Sequence, residues 1–283
     1  MNTMNTTARI TVLVENSVKG RGLLAEHGLA LWIEIGGRRL LFDTGQGAVL
    51  LRNARRLGVP LEQAEAVILS HGHYDHTGGL TDVLRAAPRI QIYAHPAALE
   101  PKYGRNDDGT SRAIGIPSPA EHAVRAHTGD LRRTERPTEV HPGVFATGEI
   151  PRRTEYEDTG GPFFTDSACQ KADPLVDDQA LFFDSPRGTI VLLGCAHAGV
   201  INTLQYIREL TNGRSIHAVL GGMHLGAASR ERMDRTIADL RKLDIERLGP
   251  AHCTGFAATA ELWNEFPESR VPCPVGTSLE FAL

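Results

Sequence analysis

The segment Ser70-His71-Gly72-His73-Tyr74-Asp75-His76-Thr77-Gly78-Gly79 places three histidines and one aspartate within six positions. Imidazole and carboxylate groups are together the ligands that zinc, manganese and iron accept in proteins. The segment follows a short apolar run, residues 66–70, which predicts a buried strand. A chance cluster of loop histidines is the alternative interpretation, and the density and order of these residues argue against it.

The spacing inside this segment has a geometric meaning. Alternate side chains of an extended chain point the same way, so His71 and His73 can bind one ion. Asp75 and His76 lie where the chain turns into the next helix, and from there they can reach a second ion. Gly72 permits a close approach of the backbone to its surroundings. The segment therefore predicts part of a metal site at the end of a strand.

Three more histidines each follow a predicted strand and stand beside small residues. They lie in Cys195-Ala196-His197-Ala198-Gly199, Gly221-Gly222-Met223-His224 and Ala251-His252-Cys253-Thr254-Gly255. Enzymes of the α/β class place their sites at such strand ends. One histidine of this kind is more often structural, but three in a chain that already carries the segment 70–79 favour a shared site.

Short apolar runs alternate with helical patterns along the rest of the chain. Predicted strands cover residues 10–14, 29–35, 39–42, 66–70, 90–94, 180–183, 189–193, 218–220 and 247–249, and predicted helices cover residues 48–57, 80–87, 200–210, 230–243 and 257–266. This alternation predicts α/β layers. A two-sheet sandwich with helices on both outer faces and a Rossmann-like single sheet both fit the periodicity.

The stretch from about residue 96 to residue 178 differs from the rest. It is rich in Pro, Gly, Arg, Asp and Thr and has few periodic apolar positions. A disordered linker is one interpretation, but a long loop inside a regular pattern of strands and helices is usually functional. We therefore predict a single domain over residues 1–283, with an insertion at about 96–178 that caps the active site.

Composition narrows the class of protein. The formal net charge of -4 lacks the basic footprint of a nucleic-acid binder, so no nucleic-acid partner is expected. The four cysteines form no CxxC pair, and a chain of 283 residues needs no disulfides, which favours reduced thiols. The first nine residues are polar, and the longest apolar runs are too short to span a bilayer. We expect a cytoplasmic protein with no membrane partner.

These residues together resemble the metallo-β-lactamase superfamily. His71, His73, Asp75 and His76 match its HxHxDH motif, and the resemblance covers nearly the whole chain. It implies an αββα sandwich, in which two mixed β-sheets are flanked by helices.

The resemblance also implies a set of ligands for two divalent metal ions. One ion would be held by His71, His73 and His197, and the other by Asp75, His76 and His252. Asp43, in the stretch Leu40-Leu41-Phe42-Asp43-Thr44-Gly45, resembles an early aspartate that supports the metal loop. Zn²⁺ is the expected metal, with Mn²⁺ or Fe²⁺ as alternatives.

One departure from the superfamily concerns its bridging aspartate. Most hydrolases of the superfamily carry that residue after the strand that follows the third ligand. The stretch Leu220-Gly221-Gly222-Met223-His224-Leu225 has no carboxylate there. We expect His224 to approach the site instead, as a ligand or a substrate-binding donor, and a buried structural histidine is the alternative.

Several short motifs resemble one subgroup, the 7,8-dihydropterin-6-methyl-4-(β-D-ribofuranosyl)-aminobenzene-5'-phosphate synthase-like proteins. These motifs are GCAHAG at 194–199, GGMHL at 221–225, AHCTG at 251–255, TGEIPR at 147–152 and DDQAL at 177–181. The label of this subgroup does not fix a substrate, because fold does not imply function.

The expected activity is that of a metal-dependent hydrolase of ester, lactone or phosphoester type, which would use a metal-activated hydroxide. Asp75 would bind metal and orient the nucleophile, and His224 would stabilise developing negative charge. Glu149, Arg152 and Arg153, with His224, are the candidate contacts to a small substrate, and the arginines suit a phosphate or carboxylate.

Four other functions are alternatives to hydrolysis. A dihydropterin-type synthase acting on a phosphorylated substrate and a non-catalytic binding protein of the same fold stay open. Di-iron redox chemistry is disfavoured because His73 stands where those relatives carry glutamate. A nuclease is disfavoured by the net charge of -4.

Overall fold

The computed structural model describes residues 7–106, 108–127 and 130–283. Its strands are β1 (Thr7–Val14), β2 (Ala30–Ile35), β3 (Arg38–Phe42), β4 (Ala66–Ile68), β5 (Gln91–Ala94), β6 (Tyr103–Arg105), β7 (Ser111–Ala113), β8 (Leu131–Arg133), β9 (Thr138–His141), β10 (Val144–Ala146), β11 (Phe163–Phe164), β12 (Ala180–Ser185), β13 (Gly188–Leu193), β14 (Ile216–Gly222), β15 (Arg247–Ala251) and β16 (Ser278–Ala282). Its α-helices are α1 (Leu50–Leu57), α2 (Tyr74–Thr77), α3 (Leu80–Ala86), α4 (Ser118–Ala126), α5 (Val200–Leu210), α6 (Arg230–Leu243) and α7 (Phe256–Glu265). Short 3₁₀ turns lie at Leu61–Gln63, Pro96–Leu99, His252–Thr254 and Pro267–Ser269.

The described strands form two large mixed sheets and one small sheet. The first has the order β16-β1-β2-β3-β4-β5-β8, the second the order β15-β14-β13-β12-β10-β9, and the small one the order β11-β6-β7. Neighbouring strands from β3 to β8 in the first sheet are parallel, as are those from β13 to β15 in the second. Antiparallel pairs complete both sheets, which are therefore mixed, as predicted.

Alternation of side chains along the strands builds the layers. Leu40 and Phe42 of β3 and Ile190 and Leu192 of β13 share one core between the two sheets. Leu41, between the first two, packs on the other face of its sheet with residues of α1, α3 and α4. The outer face of the second sheet packs in the same way against α5, α6 and α7. This period of two confirms the sandwich of two sheets flanked by helices and excludes a single Rossmann-like sheet.

The parallel strands position the candidate site, because their carboxyl ends meet at one edge of the sandwich. Asp43 follows β3 and His71 lies three residues after β4. His197, His224 and His252 follow β13, β14 and β15. Each of these residues is distant in sequence from the others, and the strand ends bring them together.

The stretch 96–178, which we predict to cap the active site, contributes strands to all three sheets. Strand β8 extends the first sheet, β9 and β10 extend the second, and β6, β7 and β11 form the small one. The sequence pattern missed these strands because each is two to four residues long, too short to show a period. It also missed β16, where Phe281 is buried and its neighbours are largely exposed.

The described helices include none that is both long and apolar enough to cross a bilayer.

Candidate metal centre

The loop between β4 and α2 carries the first ligand candidates. The backbone N–H of Gly72 donates to Asp177 Oδ2 at 2.8 Å. A Cβ atom on Gly72 would lie 2.2 Å from the carbonyl oxygen of Ala98. Only glycine therefore allows this approach, and the tight packing holds His71 and His73 on either side of it.

His71, His73 and His197 form the first triad. Their ligand nitrogens all lie within 4.8 Å of one another. His71 Nε2 is 3.0 Å from His73 Nδ1, and the ring centroid of His197 is 4.8 Å from that of His71 and 4.9 Å from that of His73. The structure thus brings His197 to His71 and His73, from which the sequence separates it by more than a hundred residues.

The first triad fits a metal ion on two grounds. All three rings are buried, yet His73 Nε2 and His197 Nε2 have no hydrogen-bond partner in the described part of the chain. Burial lowers the pKa of His71 and of His197 well below the ordinary value, and it lowers the pKa of His73 to about 3. Neutral imidazoles with free, buried nitrogens are the state in which histidine binds metal.

Asp75, His76 and His252 form the second triad. His76 Nε2 lies 3.2 Å from His252 Nε2. Asp75 Oδ2 lies 3.2 Å from His252 Nε2 and 3.7 Å from His76 Nε2. The donors are one carboxylate oxygen and two imidazole nitrogens, a set that suits zinc, manganese or iron.

Asp43 contacts His76 of the second triad directly, and it contacts His71 of the first triad through Ser70. Its carboxylate accepts hydrogen bonds at 2.7 Å from the backbone N–H and from the hydroxyl of Ser70, and it lies 2.7 Å from His76 Nδ1. Burial lowers the pKa of His76, but the charges of Asp43 and Asp75 outweigh this and raise it to about 9. Because Nδ1 faces Asp43, Nε2 of His76 is the nitrogen left to bind a ligand.

The structure brings His224 to the first triad. Its ring centroid lies 4.3 Å from that of His197, and its Nδ1 atom is buried without a hydrogen-bond partner among the described residues. His224 has a φ of 46°, in the left-handed region. Asp43, Ala196 and His252 also have positive φ, and such backbone strain gathers at functional sites.

Three residues of this region were missed by sequence reasoning. His27 Nε2 lies 3.2 Å from Asp75 Oδ2, and the group His27, Asp75 and His252 has its ligand atoms within 4.8 Å. Cys195 Sγ lies 3.2 Å from His76 Nε2, and Cys253 shares a group with Cys195 and His252. The two cysteines had a signal, because each lies within two residues of a predicted ligand, whereas His27 had none.

Glu149, Arg152 and Arg153, which the sequence predicts as substrate contacts, do not place their charged groups among the histidines. Arg152 Nη2 donates to the carbonyl oxygens of His197, at 2.7 Å, and of Pro174, at 3.2 Å, so it braces the backbone beneath the first triad. Arg153 forms an exposed ion pair with Glu209, and Glu149 is exposed. The structure does not bring the charged groups of Arg153 and Glu149 to the histidines.

Part of the stretch 96–178 lies directly over the histidines. The carbonyl oxygen of Thr159 accepts a hydrogen bond from His197 Nδ1 at 2.8 Å. The ring of Phe163 lies 5.1 Å from that of His73 and 5.2 Å from that of His197, between centroids. A Cβ atom on Gly160 would lie 1.9 Å from His224 Cδ2, so the chain approaches that ring as closely as glycine permits.

A surface groove at the opposite end of the strands is lined by residues that include Arg38, Glu65 and His141. It contains none of the residues of either triad. It is also without an unpaired buried imidazole, so it carries no argument for a site.

Known proteins resemble this chain over most of its length. The family model of the metallo-β-lactamase superfamily matches residues 24–252. An uncharacterized protein of Methanocaldococcus jannaschii is 34% identical over 254 residues, which cover 89% of this chain and 93% of that protein. The 7,8-dihydropterin-6-methyl-4-(β-D-ribofuranosyl)-aminobenzene-5'-phosphate synthase of the same organism is 28% identical over 267 residues, which cover 91% and 90%. The crystal structure of a metal-dependent hydrolase of the β-lactamase superfamily superposes with a TM-score of 0.83 at 31% identity, over 98% of this chain and 100% of that chain. The predicted resemblance to the superfamily and to the synthase-like subgroup is confirmed.

Proposed function

The chain belongs to the metallo-β-lactamase superfamily, and from that premise we propose that it is a metal-dependent hydrolase of a small anionic ester, lactone or phosphoester. The observation that carries the proposal is the cluster of three buried imidazoles, His71, His73 and His197, in which His197 Nε2 has no hydrogen-bond partner among the described residues. Buried polar atoms are almost always hydrogen-bonded, so an unpaired nitrogen beside two further buried imidazoles supports a ligand that all three share.

Two positions would hold the ions. The first triad, His71, His73 and His197, offers three imidazole nitrogens within 4.8 Å of one another. The second triad offers Asp75, His76 and His252, with Asp43 orienting the His76 ring. Zn²⁺ is the metal that suits this mixture of nitrogen and oxygen donors best, with Mn²⁺ or Fe²⁺ as alternatives.

A bound divalent ion would supply Lewis acidity, which lowers the pKa of water and polarises the bond under attack. The chain itself would supply orientation and charge. Asp75, held between His27 and His252, presents a carboxylate that can accept a hydrogen bond from the attacking water. His224 can donate from Nδ1 to the substrate oxygen on which negative charge develops.

The stretch 96–178 would cap this site. Thr159, Gly160 and Phe163 lie against His197, His224 and His73, as described above. An aromatic ring over the histidines would exclude bulk water, which strengthens the electrostatic interactions beneath it. Of the substrate contacts predicted from sequence, His224 is the one whose position supports that role.

A second candidate is a dihydropterin-type synthase acting on a phosphorylated substrate. It is favoured by 28% identity with the synthase of Methanocaldococcus jannaschii over 90% of that protein. Synthesis and hydrolysis can use the same metal positions, because a divalent ion can act as a Lewis acid in either reaction. Incubation with a 7,8-dihydropterin and a ribofuranosylaminobenzene 5'-phosphate, with detection of the joined product, separates the two candidates.

The first experiment measures metal content by mass spectrometry in protein purified without added metal. Wild type and the variants His252→Ala and His122→Ala are compared, since His122 is an exposed histidine on α4. We expect about two ions in wild type and in His122→Ala and about one in His252→Ala, because the second triad loses a ligand. Absence of metal from all three proteins contradicts the proposal, and hydrolysis in an ester, lactone and phosphodiester screen supports it.

A further inference from the structure

The thiol of Cys195 lies between the two triads. We propose that Cys195 supplies a sulfur ligand shared by the two metal positions, where most hydrolases of the superfamily use a bridging carboxylate. The inference deepens the proposed function and rests on it. It concerns a residue that lies two positions before His197 and that is not among the ligands implied by the resemblance to the superfamily.

The position of the sulfur atom is the first argument. Cys195 shares one group of ligand atoms with His71 and His76 and another with His197 and His224. It shares a third with His252 and Cys253, and in each group all ligand atoms lie within 4.8 Å of one another. Cys195 therefore reaches residues of the first triad and of the second.

The second argument concerns a buried histidine nitrogen beside the cysteine. His197 Nε2, which belongs to a group with Cys195, is fully buried and has no hydrogen-bond partner in the described ranges. His224 Nδ1, in the same region, is also buried and has no hydrogen-bond partner among the residues that the structure describes. His197 Nε2 therefore lacks a partner beside the sulfur of Cys195, and zinc accepts sulfur together with imidazole nitrogen.

The third argument concerns the space that a bridging carboxylate would need. That residue is expected after β14, within residues 220–225. A Cβ atom on Gly222 would lie 2.3 Å from the carbonyl oxygen of Gly194 and 2.6 Å from Cys253 Sγ. A side chain at position 222 therefore collides with the backbone beside Cys195 and with the sulfur of Cys253, so a carboxylate does not fit at that position.

The local fold holds Cys195 in place. A Cβ atom on Gly194 would lie 2.0 Å from Ser70 Oγ, so the glycine lets the end of β13 pack against the hydroxyl that serves Asp43. Ala196 follows with a φ of 53° in the left-handed region, which turns the chain between Cys195 and His197. The two neighbours are thereby presented to the site from one short turn.

Binding of a metal ion by the Cys195 thiol would release one proton. Cys195 and His76 are now joined by a contact of 3.2 Å between Sγ and Nε2. On binding a divalent ion, the S–H bond breaks, a sulfur–metal bond forms, and the proton leaves to solvent. No oxidant or reductant takes part.

Cobalt(II) reports this bond directly, because thiolate bound to cobalt gives a charge-transfer absorption in the near ultraviolet that nitrogen and oxygen ligands do not give. Wild type, Cys195→Ser, Cys253→Ser and Cys273→Ser are loaded with cobalt(II), and the bound metal is counted. Cys273 is a matched control, because it is a buried free cysteine packed in the core between the sheets.

We expect the ultraviolet band in wild type, Cys253→Ser and Cys273→Ser, and a loss of at least about tenfold in its intensity in Cys195→Ser. The visible cobalt bands of the histidine-bound ion should persist in Cys195→Ser. A band that survives in Cys195→Ser, or that is lost only in Cys253→Ser, overturns the inference. Cobalt binding without the band in wild type overturns it while the proposed function stands, and absence of cobalt binding in wild type overturns both.

A measurement on protein with an intact Cys195 covers the case in which Cys195→Ser does not fold. X-ray absorption of zinc-loaded Cys253→Ser should show sulfur at about 2.3 Å from zinc beside the shell of nitrogen and oxygen. A spectrum that needs only nitrogen and oxygen ligands contradicts the inference.

Discussion

Asp43 shows how a single side chain controls a metal position that it does not enter. Its two oxygens accept from the backbone and hydroxyl of Ser70, and one of them also faces His76 Nδ1. Ser70 Oγ lies 2.9 Å from His71 Nδ1, so Asp43 reaches one histidine of each triad. A carboxylate behind a histidine fixes the ring and raises its strength as a ligand.

We predict that Asp43→Asn weakens metal affinity by about 10- to 100-fold. The amide has no negative charge, and its NH2 group would face the donors of Ser70 and His76 that the carboxylate now accepts from. Competition with a chromophoric chelator measures the change. Asp244→Asn is the matched control, since Asp244 is exposed and has a positive φ like that of Asp43. Equal affinity in Asp43→Asn and the control would show that Asp43 does not act through the histidines.

At the scale of elements, a buried ion triad joins the stretch 96–178 to the metal loop. Lys102 Nζ, just before β6, donates to Asp173 Oδ2 at 2.9 Å and to Asp177 Oδ1 at 2.8 Å. The other oxygen of Asp177 accepts from Gly72 N–H in the loop of the first triad. All three charged side chains are nearly inaccessible to solvent.

We predict that Lys102→Met lowers the free energy of unfolding by about 3–5 kcal/mol, because two buried carboxylates lose their cation. Urea denaturation measures it. The control Arg85→Met breaks an exposed ion pair with Asp82 and should cost less than about 1 kcal/mol. Similar losses in the two variants would mean that the buried triad contributes no more than a surface pair.

The amino end of α5 depends on Glu157. Its carboxylate accepts hydrogen bonds from the backbone N–H of Ile201 and of Asn202, and from the hydroxyl of Thr154. Burial raises the pKa of Glu157 above its ordinary value, and these hydrogen bonds only partly offset the effect. Residues 154–157 are thereby attached to the helix that follows His197.

The raised pKa of Glu157 has a consequence for stability against pH. The folded state binds the carboxyl proton of Glu157 more tightly than the unfolded chain does. The stability that this proton contributes is therefore fully present below the unfolded pKa of about 4.3, and it is lost as pH rises through the folded pKa. The Tm of wild type minus that of Glu157→Gln should therefore fall as pH rises through this window. Scanning calorimetry at a series of pH values tests it, and a difference that rises with pH would refute the assigned direction.

At the scale of the molecule, metal binding and folding are linked. The two triads draw on both sheets, since His71 follows a strand of the first and His197 and His252 follow strands of the second. A ligand that bridges them binds the folded chain and not the unfolded one. Such a ligand stabilises the fold by an amount that grows with its concentration.

We predict that zinc at about 100 times its Kd adds about 2.7 kcal/mol to the free energy of unfolding, and that the added zinc raises Tm by several degrees. Thermal denaturation of metal-free protein with increasing zinc measures it. His71→Ala should show a smaller rise, whereas His122→Ala should match wild type. A Tm independent of zinc in wild type would contradict a site that joins the two sheets.

Local patterns in the sequence determined much of this protein. The alternation of apolar residues placed β13 and α5 nearly to the residue, because burial on one face of a strand or helix leaves a period in the chain. The segment 70–79 predicted its own chemistry, since His71, His73, Asp75 and His76 are neighbours in sequence. The sequence also determined that residues 220–225 contain no carboxylate.

Only the tertiary structure decided which distant residues complete the site. Cys195 and Cys253 lie beside the triads because parallel strands end at one edge of the sandwich, and His27 lies there because antiparallel β2 begins where β3 ends. The order of residues along the chain does not show which strand ends meet. In the packed structure Arg153 forms an ion pair with Glu209, and its charged group does not contact the histidines. Periodicity records which face of an element is buried, whereas the distance between two elements depends on how the sheets pack against each other.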